Sequence, residues 1–179
     1  TARIGKAAAV FERLRPIWKS GTIRNDMKLR LYQSIVLPTT IYAGETWKRT
    51  AAISNKLDVF HRRCLRTILG ISWKDHITNE ELMKRAGMED LRDIVSTRRR
   101  RFAGHVMRLP KERPAKIAMR WTPTEGRRKR GRPKTTWRKT FQEDLEEMGI
   151  DWNSAQSAAT DRSRWRSLVA RCSSRSGRN

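Results

Sequence analysis

The sequence contains little cysteine, no long hydrophobic run and few acidic residues for its 179-residue length. Two cysteines and three histidines exclude a disulfide scaffold and argue strongly against a zinc finger. Apolar stretches of only a few residues exclude a transmembrane helix, so we expect no membrane partner. No secretory hydrophobic segment stands at the start. Because the chain opens on Thr1 rather than Met, we expect it to be a piece of a longer protein.

The chain is strongly basic, since 41 Lys and Arg against 18 Asp and Glu give a formal net charge of +23. Such a charge opposes a compact monomer by self-repulsion and favours a polyanionic partner. The excess is concentrated in residues 1–71, with 14 basic and 4 acidic residues, and in residues 111–136, with 10 and 2. We therefore expect a nucleic-acid partner, and the sequence leaves DNA, RNA and an RNA–DNA hybrid equally open.

Apolar residues at helical spacing predict a mainly α fold, a helical bundle followed by a smaller C-terminal helical part. The predicted helices are residues 2–15, one from Asp26, Ile53–Ile68, one from Thr78, Leu91–Leu109, Pro114–Trp121, Trp137–Met148 and one after Asp161. The second carries Met27, Leu31 and Ile35 on its expected inner face, and Pro38 should kink or end it. The β-branched run 35–42 leaves a short strand there as an alternative.

No catalytic constellation stands out in the sequence. A polymerase needs carboxylates that converge on Mg²⁺, whereas Asp90 and Asp93 stand at a predicted helix start, where negative charge is favourable in any case. His61 and Cys64 share a helix face at i, i+3, but nothing supplies two further metal ligands. We therefore expect Cys64 in the core and His61 on the surface.

Two groups of arginines on predicted helices are candidates for phosphate contact. The stronger is the run Arg98, Arg99, Arg100 and Arg101. Consecutive helical residues point all round the axis, so at most two of the four can face one ligand. Arg62, Arg63 and Arg66 are further candidates on the third helix. The alternative in both cases is a solvated basic helix face.

The most basic stretch lies between two predicted helices. It comprises Arg127, Arg128, Lys129, Arg130, Gly131, Arg132, Pro133 and Lys134. Its centre, Arg-Gly-Arg-Pro, resembles the AT-hook core: glycine lets the backbone lie flat in a narrow groove and proline keeps it extended. Arg130 and Arg132 could then reach into an A·T minor groove. The alternative is a generic basic linker or nuclear localisation signal, which binds polyanions without A·T preference.

Short motifs follow one another in a specific order along nearly the whole chain. They are Arg3–Ala7, Leu37-Pro38, Tyr42–Trp47, Arg62–Ile71, Thr78–Leu82, Arg101–Arg108, Gly131–Lys134, Thr136–Arg138, Asp161-Arg162 and Trp165-Arg166. Together they resemble the region after the polymerase palm in LINE-type (non-LTR) retrotransposon reverse transcriptases, especially RTE-like elements. Ala43 departs from the pattern, because the family more often has glycine followed by a small polar residue there.

The resemblance implies a parent protein with an endonuclease and a reverse transcriptase, which nicks target DNA and copies its RNA from the exposed end. It implies that residues 1 to about 70 correspond to the thumb and the rest to the C-terminal segment. Together with the helix pattern, we expect a thumb-like bundle over residues 1–71, a helical extension over 72–121, a basic AT-hook-like linker over 122–136 and a small helical segment over 137–179. The Tyr-x-Asp-Asp motif would lie upstream of Thr1. We therefore assign no catalytic or metal residue and no cofactor to this chain, and expect Mg²⁺ in the upstream palm, itself a partner.

We expect a nuclear, non-catalytic, nucleic-acid-binding part of a reverse transcriptase that grips primer–template or target DNA. One alternative is an autonomous DNA- or chromatin-binding protein derived from such an element, which predicts autonomous folding and A·T preference. Another is an independent enzyme such as a nuclease, which predicts Mg²⁺-dependent cleavage abolished by changing a carboxylate pair. The lack of a convergent acidic motif argues against the enzyme.

Overall fold

Helices dominate the computed structural model, which describes residues 2–121 and 136–176, the last four of these by their backbone only. The described residues contain no strand, so the mainly α prediction is confirmed. The predicted basic linker, except for Thr136, lies outside the described residues. None of the described helices is long and apolar enough to cross a membrane.

Eleven α-helices follow one another along the described residues. They are α1 (Ala2–Arg13), α2 (Arg15–Lys19), α3 (Asn25–Leu31), α4 (Leu37–Thr40), α5 (Ala51–Leu69), α6 (Asn79–Ala86), α7 (Leu91–Arg108), α8 (Pro114–Arg120), α9 (Trp137–Glu147), α10 (Trp152–Thr160) and α11 (Arg162–Ser176). A π-helical turn, Tyr32–Val36, joins α3 to α4, and 3₁₀ turns stand at Gly44–Thr46 and Trp73–Asp75.

The chain forms two compact units, and the boundary between them falls inside α7. Unit 1 comprises the described residues up to Gly44 together with Ala51–Ile94. Unit 2 comprises Glu45–Thr50 and the described residues from Val95 onward. Most of the predicted thumb-like segment therefore lies in unit 1, together with the first part of the predicted extension.

Two prolines of unit 1 lie in the first turns of helices rather than in their interiors. Pro16 lies in the first turn of α2, where its missing N–H leaves no bond unmade. Pro38 lies in the first turn of α4, directly after the π-helical turn. That wider turn accommodates the proline, which has no N–H for the carbonyl four residues earlier. Within residues 35–42 the chain is therefore helical as far as Thr40, and the strand alternative is wrong.

Aromatic side chains form the centre of unit 1. Phe11 of α1 stacks on Trp18 of α2 with ring centroids 5.1 Å apart, and it meets Tyr32 edge-on at 6.3 Å. The Trp18 indole N–H donates to the Phe11 carbonyl at 2.8 Å. The buried Lys28 ammonium donates to the Trp18 carbonyl at 3.0 Å. These bonds satisfy carbonyl oxygens that the helix ends leave open.

The inner face of α3 differs from the predicted one. Met27 and Ile35 are 48% and 40% exposed, whereas Lys28 and Tyr32 are buried. The spacing of apolar residues located the helix correctly but did not identify which of its residues are buried. The long apolar stem of Lys28 can be buried because its ammonium group reaches a carbonyl acceptor. A hydropathy pattern counts that lysine as polar, so it points to the wrong side of the helix.

His61 of α5 is fully buried, so the prediction of a surface histidine is wrong. The Tyr32 hydroxyl lies 2.7 Å from its Nδ1, and the hydrogen bond supplies the polar partner that burial requires. Burial lowers the pKa of His61 from 6.5 to about 4. Cys64, one helical turn on, is buried as predicted, and burial raises the pKa of its thiol to about 12.

Acid should destabilise unit 1 through His61. The unfolded chain takes up a proton on this ring near pH 6.5 and the folded chain only near pH 4, so stability falls as the pH decreases through that interval. We expect a loss of roughly 2 kcal/mol between about pH 7 and about pH 4.5, measured by urea unfolding. Burial raises the pKa of Asp58, so protonation of Asp58 makes stability increase as the pH falls and partly offsets the effect of His61. The effect of His61 is therefore isolated by comparing the chain with its His61→Gln variant. The same pH dependence in both proteins would contradict the prediction.

Unit 2 is organised around a second apolar core. Its buried members are Ala103, Val106, Met107, Met119, Phe141, Leu145, Met148, Ala155, Ala158, Ala159, Trp165, Leu168 and Val169. Trp137 stacks on Phe141 at 5.3 Å, and Trp152 meets the same ring edge-on at 5.6 Å. The Trp137 indole N–H donates to the Glu45 carbonyl at 2.8 Å, which ties residues 45–50 to this unit.

The sequence analysis missed helix α10. Its first residue follows Asp151, whose carboxylate accepts a hydrogen bond from the Ser154 N–H at 2.9 Å. Ala155, Ala158 and Ala159 form its buried face. Small residues give a weak hydropathy signal, which explains the omission. The Asp-x-x-Ser spacing could have located the helix start.

Candidate nucleic-acid interface

Helix α7 distributes the four-arginine run between its inner and outer faces. Arg98 and Arg101 are exposed, whereas Arg99 and Arg100 retain only 1% and 4% of their accessible surface. Two of the four are therefore open to a ligand, the maximum that helical geometry allows. The predicted phosphate contact of this run therefore depends on Arg98 and Arg101.

The two buried arginines are held by carboxylates of α9. Arg99 donates to Asp144 through Nε at 2.5 Å and Nη2 at 2.8 Å, and that carboxylate is fully buried. Arg100 pairs with Glu147 and lies 3.7 Å from Asp144. Paired planar guanidinium and carboxylate groups are the arrangement in which buried charge is best tolerated. Both arginines therefore serve the packing of α7 on α9.

A third arginine completes this ionic network in unit 2. Arg49 donates to Glu147 at 2.9 Å and Glu143 at 3.3 Å, and it lies 3.9 Å from Asp144. Burial opposes the charge of Arg49, but hydrogen bonds and charges from Glu147, Asp144 and Glu143 outweigh it and raise its pKa. The acidic face of α9 is therefore largely neutralised within the unit.

The arginines predicted on α5 of unit 1 also separate into paired and open residues. Arg62 forms a bidentate ion pair with Asp90, with closest contacts of 2.7 and 2.8 Å. Arg66 donates to the Ile77 carbonyl at 2.9 Å. Arg63 is exposed and lines a groove of about 520 Å³ beside Arg15. Of the three predicted residues, Arg63 is thus the one open to solvent.

A basic cleft in unit 2 contains residues that the sequence analysis had not assigned as ligand contacts. It measures about 610 Å³ and lies between α7 and α11. Arg101, His105, Arg108, Arg162, Trp165, Arg166 and Ala170 line it. The lining contains no carboxylate. One of its four arginines, Arg101, belongs to the predicted run.

The arginines of the cleft affect one another electrostatically. Arg108 donates through Nη1 to the Ala159 carbonyl at 3.0 Å, while its buried Nε has no partner among the described residues. Partial burial, followed by the positive charges of Arg162 and Arg166, lowers the pKa of Arg108. The guanidinium group of Arg108 is therefore repelled by those of Arg162 and Arg166.

The described carboxylates do not form a metal site. No group of three His, Cys, Asp or Glu side chains within residues 2–121 and 136–176 lies together as a metal ion would require. The buried acids instead pair with arginines, Asp58 with Arg92 at 2.8 Å and Asp144 with Arg99.

These features define a mainly α protein with two cores, internally paired arginines and a residual basic surface. No protein-family model matches the chain, and no solved structure matches it. It is 26% identical over 158 residues to a Caenorhabditis elegans protein whose name describes it as transposon-derived and uncharacterized. The match covers 82% of this chain and 56% of that protein, so the chain spans about half of the relative's length. This similarity supports a transposon origin.

Proposed function

We propose that the chain is the nucleic-acid-binding, non-catalytic C-terminal part of a LINE-type reverse transcriptase, gripping primer–template or target DNA during RNA-templated DNA synthesis. The main support is that the buried arginines have carboxylate partners, whereas Arg98 and Arg101 remain exposed and Arg101 lines a cleft without acids. Such a surface is suited to contacts with phosphate groups rather than to catalysis. The transposon-derived relative and the ordered motifs agree with this proposal.

The polymerase chemistry would belong to the rest of the parent protein. Under this proposal the catalytic Mg²⁺ ions bind in an upstream palm, which is also a partner of this chain. Unit 1 would supply most of the thumb, where Arg63 lies exposed on a groove that Arg15 and its ion-pair partner Glu12 also line. A nuclear location follows from the proposed role in copying RNA into target DNA.

Direct binding tests the proposed function. Fluorescence anisotropy of the whole chain would be measured against A·T-rich duplex DNA, G·C-rich duplex DNA and an RNA–DNA hybrid at several salt concentrations. We expect binding to all three, with a log–log salt slope steeper than about −4, because several phosphates are neutralised at once. Failure to bind any of them at about 0.1 M salt would refute the proposal.

The basic stretch 127–134 has its own test. Replacing Arg130 and Arg132 with Ala should weaken duplex binding and remove any A·T preference, because these side chains are the ones that would enter the minor groove. The measurement is the ratio of dissociation constants for A·T-rich and G·C-rich duplexes. Arg127→Ala with Lys129→Ala is the matched control, with the same charge loss outside the Arg-Gly-Arg-Pro core. Unchanged affinity in the Arg130/Arg132 variant would exclude an AT-hook-like role.

One structural observation supports the alternative of an autonomous DNA- or chromatin-binding protein. Each unit has its own buried core, and unit 2 alone buries thirteen hydrophobic residues in one cluster. A cooperative thermal transition of the isolated chain together with a strong A·T preference would favour this alternative. Equal binding to all three nucleic acids would favour the polymerase role.

A further inference from the structure

Two rows of basic side chains face the same cleft in unit 2. On α7, Arg101, His105 and Arg108 follow one another at i, i+4 and i+7, so they form one stripe about 10 Å long. On α11, Arg162 and Arg166 are separated by one helical turn, about 6 Å. The two stripes converge because both helices line one cleft.

The positive charge of the cleft is not neutralised by a carboxylate in its lining. None of Arg101, Arg162 and Arg166 has a hydrogen-bond or ion-pair partner among the described residues. Elsewhere in this unit the interior arginines are neutralised by Asp144 and Glu147. A concave surface lined by one sign of charge focuses the field on its opening.

The N-terminus of α11 is not itself the anion site. The Asp161 carboxylate accepts hydrogen bonds from the backbone N–H groups of Ser163 at 2.8 Å and Arg164 at 3.0 Å. Two of the free donors of this helix end are therefore already occupied. Attraction for an anion must come from the guanidinium groups, which match phosphate oxygens in a planar, two-point manner.

Building on the proposed function, we infer that the α7–α11 cleft is a phosphodiester-backbone site that grips nucleic acid without reading its sequence. Arg101, Arg108, Arg162 and Arg166 supply the phosphate contacts. Trp165 is only 2% exposed, and its indole N–H donates to the Arg100 carbonyl at 3.0 Å, so it is not available to stack on a base. Contacts limited to phosphates position a strand but carry no base information.

The test compares the whole chain with Arg162→Gln/Arg166→Gln. The matched control is Arg113→Gln/Arg164→Gln, which removes two exposed arginines of the same unit outside the cleft. Affinity for A·T-rich DNA, G·C-rich DNA and an RNA–DNA hybrid would be measured against salt concentration. Circular dichroism and thermal melting would verify that each variant is folded. If the first pair impairs folding, Arg101→Gln/Arg166→Gln replaces it.

We expect the cleft variant to bind both DNA duplexes roughly tenfold more weakly or worse, and equally so, with the salt slope reduced by about 1.8 for two lost contacts. The control should change affinity by less than about threefold. Equal losses in the cleft and control variants would overturn the cleft inference and leave the proposed function standing. A loss confined to one duplex sequence would also overturn it. A parent chain that binds no nucleic acid would instead refute the proposed function.

Competition identifies the chemistry of the ligand. Inorganic phosphate at millimolar concentration should displace the duplex only weakly, because one phosphate cannot engage both arginine stripes at once. If inorganic phosphate binds the parent chain as tightly as the duplex does, and the cleft variant loses only that binding, the cleft is a small-anion site and the inference is wrong.

Discussion

Replacing Asp144 with Ala should destabilise the protein by about 3–5 kcal/mol, the largest single effect we expect. The substitution leaves the fully buried guanidinium of Arg99 without its bidentate partner. It also removes a negative charge that lies 3.7 Å from Arg100 and 3.9 Å from Arg49. An uncompensated buried charge costs far more than the pair contributes when intact. Urea unfolding monitored by circular dichroism measures the change.

Two comparison variants separate charge from packing. Glu143→Gln alters a carboxylate of the same helix that is 37% exposed, and it should cost less than about 1 kcal/mol. Arg99→Met combined with Asp144→Leu removes both buried charges, and we expect it to be more stable than Asp144→Ala alone. If the double variant proves the less stable, the ion pair is not the source of the effect.

Gly104→Ala should cost about 3 kcal/mol, although alanine normally favours a helix. A Cβ on Gly104 would lie 2.6 Å from Cδ1 and Cε2 of the Trp165 indole, closer than real Cβ atoms approach. The ring is rigid, buried and bonded to the Arg100 carbonyl, so α11 would have to move away from α7. Overpacking of this kind typically costs 1–3 kcal/mol and occasionally more. Thermal and urea unfolding measure the loss.

Gly5→Ala provides the matched control, because Gly5 also lies inside a helix and a Cβ there meets nothing within 4 Å. It should stabilise the protein by about 0.5–1 kcal/mol, the normal gain from replacing a helical glycine. Adding Trp165→Leu to Gly104→Ala should cost less than the sum of the single changes, since the smaller side chain removes the overlap. Strict additivity would show that the two residues do not meet.

The Gly104 prediction also bears on the cleft. Trp165 forms its wall between the arginines of α7 and α11, so the close approach at Gly104 sets the separation of the two basic stripes. A variant that moves α11 should therefore weaken nucleic-acid binding even though every arginine is retained. The cleft and the packing of unit 2 depend on the same contact.

The sequence predicted the helices well because their signals are local. The helix predicted over Ile53–Ile68 agrees with α5, which ends at Leu69, and the next residue, Gly70, adopts a φ of +69°. The helix predicted over Leu91–Leu109 agrees with α7, which ends at Arg108. The inner face of α3 and the burial of His61 were wrong, because both depend on hydrogen-bond partners distant in sequence.

The candidate site was predicted only in part. Arg101 was identified, but Arg108, Arg162 and Arg166 were noted as motif residues without a role. Their spacing of one or two helical turns was a usable signal, since it places each pair on one helix face. What the sequence does not reveal is that α7 and α11 present these stripes to the same cleft.

By itself, the sequence determined the helical class, because hydrophobic periodicity is a property of residues close together in the chain. The net charge is a simple sum over all residues, and it led us to expect a polyanionic partner. Tertiary structure alone decided which arginines are free. Arg99 meets Asp144, 45 residues away, and Arg62 meets Asp90, 28 residues away, whereas Arg101 meets none of the described carboxylates. Adjacent arginines of identical chemistry therefore differ in role, because a charge is neutralised by what the fold brings next to it.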